Sequence, residues 1–180
     1  MKKTIISSLL AIAALAPVAS FASDGTINFT GTVTNQTCTI NGGSPNFSVT
    51  LPKVSASSLA TAGAKAGQKP FTIALTACST KSGGARALFE IGSGVNTNTG
   101  RLINTVTDNT GAKGVEIGLA TANGTDILVN GVSTQPQSFV AIDANGSATL
   151  NYLAQYVATG TVPTGAGATT SSVTYSIEYQ

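Results

Sequence analysis

The stretch Phe71-Thr72-Ile73-Ala74-Leu75-Thr76-Ala77-Cys78 sends Phe71, Ile73, Leu75 and Ala77 to one face of an extended chain and Thr72, Ala74 and Thr76 to the other. A period of two sustained in this way predicts a strand with one face on a core. Shorter runs of the same kind are predicted at 47–51, 87–91, 102–106, 115–119, 126–129, 138–142 and 148–157. In the last of these, Leu150, Tyr152, Ala154 and Tyr156 alternate with smaller or more polar neighbours, which reads as packing. Between the runs stand Asn41-Gly42-Gly43, Asn123-Gly124, Asn130-Gly131 and Asn145-Gly146, dipeptides that accept positive φ at little cost. Only residues 55–66, rich in Ala, predict a short helical turn, and 159–170 reads as a Gly- and Thr-rich loop. The fold class is all-β, a sandwich or barrel of antiparallel strands. A length of 180 residues without internal repeat or long linker predicts one globular domain.

Working outward, both ends carry the same alternation. Ile27, Phe29, Gly31 and Val33 are separated by Asn28, Thr30 and Thr32, and the chain closes on Val173, Tyr175, Ile177 and Tyr179 separated by Thr174, Ser176 and Glu178. Each end presents one apolar row to something. After Val33 the apolar parity shifts, since Cys38 and Ile40 are even, which sets the first segment apart from the strand after it.

Before that segment, MKKTIISSLLAIAALAPVASFA joins two lysines, an apolar run from Ile5 to Val18 and a small-residue stretch ending at Ala22. This is the pattern of a secretory signal peptide over 1–22, with Ala19 and Ser23 as nearby alternatives for the last residue removed. An anchor left in place is the competing reading, but the run is broken by Pro17 and shorter than the roughly 20 residues a bilayer span needs. Nine basic residues become seven once Lys2 and Lys3 leave, equal to the seven acidic ones. A balanced chain with no basic cluster offers no footprint for nucleic acid.

Cys38 and Cys78 are the only cysteines, and an exported pair in an oxidising compartment predicts one disulfide. The sequence contains no histidine, so Ser-His and Cys-His nucleophiles and histidine-ligated metal sites are excluded. Glu90 with Glu116 or Asp126 is a formal glycosidase pair, but solvated strand charges explain these residues better. No catalytic residue, metal, cofactor or small-molecule substrate is expected.

Signal peptide, Gly25-Thr26-Ile27-Asn28-Phe29-Thr30-Gly31-Thr32-Val33, Cys38, Leu51-Pro52-Lys53-Val54, the run into Cys78 and the ending through Tyr179-Gln180 together resemble the type 1-like major subunits of chaperone-usher fimbriae. Gly167 stands fourteenth and Tyr179 second from the end, as in the C-terminal signature of that family. The resemblance implies an incomplete immunoglobulin-like sandwich, the pilin fold, lacking its last strand and completed by a donor strand from another subunit. It divides the chain into a leader (1–22), a donor-strand extension (23–34) carrying Ile27, Phe29, Gly31 and Val33, and a pilin domain (35–180). Gly167, Val173, Tyr175, Ile177 and Tyr179 would form the groove edge. The implied partners are other copies or related pilins, a periplasmic chaperone and an outer-membrane usher. The implied place is the cell surface, reached through the periplasm. No extra N-terminal domain of the tip-adhesin kind is present, which favours a shaft role. The alternatives are a minor or adaptor subunit of the same system and a secreted β-sandwich carbohydrate-binding module.

Overall fold

The computed structural model describes residues 25–180. The expected leader, 1–22, and the beginning of the expected extension, residues 23 and 24, lie outside the described residues. Contacts divide the chain between Thr34 and Asn35, and residues 35–180 form a compact unit. Residues 25–35 are exposed and carry no strand.

Ten strands are present among the described residues: β1 (Thr39–Ile40), β2 (Lys65–Thr76), β3 (Gly84–Phe89), β4 (Val95–Asn96), β5 (Arg101–Ile103), β6 (Val115–Thr121), β7 (Asp126–Ile127), β8 (Val140–Ala141), β9 (Ala148–Ala158) and β10 (Tyr175–Tyr179). All ladders between them are antiparallel. The larger sheet has the order β1-β2-β9-β6-β5-β4, with β7 also beside β6, and the smaller has the order β10-β3-β8.

The core lies between the sheets. Opposite β2, Phe71 faces Tyr152, Ile73 faces Leu150 and Leu75 faces Ala148, so the apolar residues of β2 and β9 share a face and Ile73, Leu75 and Leu150 are fully buried. From the smaller sheet Ala85, Ala87 and Phe89 meet them. The Phe89 ring stands edge-on to Tyr152 at 5.3 Å between centroids, and the Ala87 N–H donates to Tyr152 Oη at 3.1 Å. One buried phenol thus links the sheets by packing and by hydrogen bond, and its burial raises its pKa.

The expected strand 71–78 differs at both ends. It stops at Thr76 because Ala77 takes φ 49. That turn leaves Ala77 exposed and carries Cys78 inward, where it forms the expected disulfide with Cys38. At its start the strand reaches back to Lys65. The register against β9 shifts between Ala66 and Lys69, and Gly67 absorbs that bulge at φ 66 with the Tyr156 ring 2.9 Å from where a Cβ would sit. The expected strand 138–142 contracts to β8, because glutamine side chains replace it along β3. Gln135 Nε2 donates to Phe89 O at 2.7 Å, Phe89 N donates to Gln135 Oε1 at 3.0 Å, and Gln137 Nε2 donates to Ala87 O at 2.6 Å. The expected helical turn is a 3-10 turn, Ala56–Leu59, whose N-cap Ser55 accepts from the Ser57 N–H.

The disulfide clamps the end of β2 to β1, where Thr39 pairs with Thr76. With its cysteines 40 positions apart in the sequence, a Cys38→Ser, Cys78→Ser double variant should lose about 4 kcal/mol of unfolding free energy by loop entropy. Urea denaturation of oxidised wild type and variant measures it, and equal midpoints would show the clamp to be energetically idle.

Candidate functional site

Strand β10 forms a ladder with β3 on one side, Tyr175 opposite Phe89, Ile177 opposite Ala87 and Tyr179 opposite Ala85. Among the described residues no strand pairs with its other side. That edge faces a groove of about 810 Å³ whose opposite wall is the chain from Pro45 to Leu51 and whose floor includes Phe71, Ile73, Phe89, Leu119 and Tyr156. The wall segment was expected as a strand at 47–51. It forms no ladder, because the groove occupies the place where its neighbour would lie.

Aromatic rings join the groove to the core. Phe47 sits 6.4 Å from Tyr175 and 6.2 Å from Phe71, and Phe71 sits 5.6 Å from Tyr152. Tyr175 Oη donates to Pro45 O at 2.7 Å and so bridges the two walls, and burial raises the pKa of this phenol. Below, Arg86 Nε donates to Glu178 Oε2 at 2.7 Å and fastens β10 to β3. The same guanidinium donates to Gln137 O and lies 4.7 Å from the centre of the Phe139 ring.

Of the residues expected along the groove edge, Val173, Tyr175 and Ile177 line the groove, while Tyr179 packs against the core cluster. Gly167 lies elsewhere. A Cβ there would come within 2.4 Å of Ala112 N, so glycine permits the close run in which Ala112 N donates to Ala168 O and Ala168 N donates to Thr110 O. This contact anchors the approach to the groove wall, and Gly167 borders a smaller cavity of about 300 Å³ with Val54, Leu59 and Tyr156. The expected donor residues Ile27, Phe29 and Val33 are 78%, 89% and 99% exposed, which is extreme for large apolar side chains. Gly31 has nothing within 4 Å of a would-be Cβ.

Among the described residues no Asp, Glu, Lys or Arg lines the groove. Its chemistry is a free strand edge over an apolar trench, which suits an extended peptide with apolar residues at every second position. Of the three carboxylates weighed for a catalytic pair, Glu90 is exposed and the other two have structural partners. Glu116 accepts from Asn96 and Thr99 and lies 3.9 Å from Arg101, and Asp126 pairs with Lys65 at 2.6 Å. Among the described residues no group of three or more His, Cys, Asp or Glu forms a metal cluster, and no helix is long and apolar enough to cross a membrane.

The sequence profile of the family described as Fimbrial protein matches residues 27–180. The chain is 44% identical over 171 residues to the major fimbrial subunit SMF-1 of Stenotrophomonas maltophilia (strain K279a), covering 92% of this chain and 98% of that protein. It is 41% identical to the F17 fimbrial protein of Escherichia coli, covering 94% of each. A chain from a chaperone-usher pilus structure that addresses rod uncoiling shares the fold at a TM-score of 0.58 and 24% identity, covering 92% of this chain and 100% of that one.

A Tyr175→Phe variant keeps the ring against Phe47 and loses only the bond to Pro45. It should cost about 0.5–1.5 kcal/mol, whereas Tyr175→Ala should cost about 3–5 kcal/mol. Urea midpoints of the two variants check the order, and equal losses would mean that the ring contributes nothing to joining the walls.

Proposed function

The chain belongs to the Fimbrial protein family, and from that premise we propose that its groove receives the N-terminal strand of another pilin while its own residues 23–34 fill the groove of the next. The chain is a structural subunit of a bacterial surface fimbria and polymerises with other pilin subunits. The shaft is its place in that fimbria, as the major-subunit relatives support. We assign the protein no enzymatic activity. A periplasmic chaperone covers the groove before assembly and an outer-membrane usher presides over the exchange. Residues 1–22 are removed on export.

The observation that carries the reading is the match between an uncharged groove with a free strand edge and an exposed segment that alternates apolar residues. Ile27, Phe29 and Val33 fall on one face of an extended strand, with Gly31 in the same row, and the groove offers Val173, Tyr175 and Ile177 along its edge. Each large side chain buried there contributes about 1.5–3 kcal/mol, in addition to the ladder formed with β10. Gly31 gives the donated strand a point of close backbone approach.

A Phe29→Asp variant would place an unpaired charge in an apolar trench, a penalty of several kcal/mol. It should be exported, oxidised and bound by its chaperone like the wild type, because the change lies outside the compact unit. It should form few SDS-resistant multimers. The ladder of multimers in cells making only the variant, measured beside chaperone-bound monomer, is the test. Wild-type polymerisation would remove Ile27–Val33 from the donor role, and loss of the monomer before chaperone binding would make the segment part of its own domain.

A further inference from the structure

Four Asn-Gly dipeptides occur in the chain, and the structure treats them unequally. An asparagine followed by glycine is chemically labile, because the next backbone nitrogen can attack the side-chain amide carbon where no Cβ obstructs it. The attack needs that nitrogen free and the amide able to swing over it. At Asn123 the side-chain oxygen accepts from Thr121 Oγ1, from Thr125 Oγ1 and from Thr125 N, and Gly124 N donates to Thr121 O at 2.9 Å. At Asn145, Gly146 is buried and its N donates to Asp143 O at 2.9 Å. At Asn41 the side-chain oxygen accepts from Ala74 N at 2.8 Å, which pins the amide to β2.

Asn130 lacks the first restraint and has the second only through one shared hydroxyl. It is exposed, and Gly131 N has no hydrogen-bond partner among the described residues. The turn expected at this dipeptide is not left-handed: Gly131 has φ 172, extended backbone. Thr134 Oγ1 lies 2.9 Å from Asn130 Oδ1, 2.8 Å from Gly131 O and 2.7 Å from Leu128 O. One hydroxyl proton serves one acceptor at a time, so Thr134 keeps the amide over its own loop without locking it.

We propose that Asn130-Gly131 is a site of spontaneous modification, the one Asn-Gly pair that this fold leaves open to succinimide formation. Gly131 N loses its proton and bonds to Asn130 Cγ, and the side-chain nitrogen leaves as ammonia. Water then opens the five-membered imide at either carbonyl, giving aspartate or the isoaspartyl linkage. The net change is hydrolysis of one amide, with no oxidant or reductant. Each event adds one negative charge to a chain whose charges otherwise balance after residues 1–22.

The test is to hold the folded, oxidised protein in warm, mildly alkaline buffer beside the same chain reduced and unfolded in urea, and to map both by mass spectrometry over time. Cleavage after Leu119, Leu128 and Phe139 puts Asn123, Asn130 and Asn145 on separate peptides. In the folded protein Asn130 should convert several-fold faster than Asn41, Asn123 or Asn145, and unfolding should bring the four rates close together. Gly131→Ala fits the extended backbone, where a Cβ meets only Thr134 Oγ1 and Ser133 Oγ at 3.8 and 3.9 Å. It should slow Asn130 many-fold in both states and leave the other sites unchanged. A different Asn-Gly converting first in the folded protein, or Asn130 protected by folding as strongly as the others, would overturn the proposal.

Discussion

The open side of β10 is the constraint on which the rest of the structure turns. A strand at a sheet edge presents unpaired N–H and C=O groups, and here the edge also borders a core that no strand among the described residues covers. The fold manages its other edges by different means. Along β3, where β8 has already ended, Gln135 and Gln137 satisfy the Phe89 and Ala87 backbone with side-chain amides. At the far side of the larger sheet, β1 is only two residues long and is tied by the disulfide. Unlike these edges among the described residues, the groove edge has neither a side-chain cover nor a covalent tie, and its lining is uncharged.

That constraint explains which parts of the fold the sequence made legible. Strands with one face on the finished core, β2 beyond Phe71 and β9 as far as Tyr152, announce themselves through alternation, because water on one side and core on the other impose a period of two. The first half of β2 was hidden because a bulge uses glycine, and Gly67 looks the same in a sequence whether it ends a strand or bends one. The 47–51 run alternates like a strand but has no ladder, since periodicity reports burial and says nothing of whether a neighbouring strand exists. Ala77 was assigned inward by parity, and its φ of 49 breaks that parity to bring Cys78 to Cys38.

The candidate site divides in the same way. Val173, Tyr175 and Ile177 were readable as one apolar row, whereas the opposite wall at Pro45 and Phe47 was not. Its link to Tyr175 spans 130 residues of sequence, and no local pattern encodes that distance. Gly167 was read through its position in a family signature. Its environment gives that glycine a local physical role, the backbone contact with Gly111 and Ala112 at the approach to the groove wall.

Magnitudes decide what kind of complex such a groove can support. Under the proposed strand donation, three large side chains at about 1.5–3 kcal/mol each give about 5–9 kcal/mol, while bimolecular association costs an estimated 4–15 kcal/mol in lost translational and rotational freedom. Side-chain burial alone would therefore leave a free donor peptide weakly bound. The balance shifts when a β-ladder with β10 is added, because its backbone groups are otherwise unpaired beside an apolar trench. It shifts further when the donor is delivered by a partner that holds both subunits and so raises its effective concentration. Strand addition to an incomplete sandwich accordingly favours assisted assembly over spontaneous association, and it leaves a joint whose release would have to expose edge and core together.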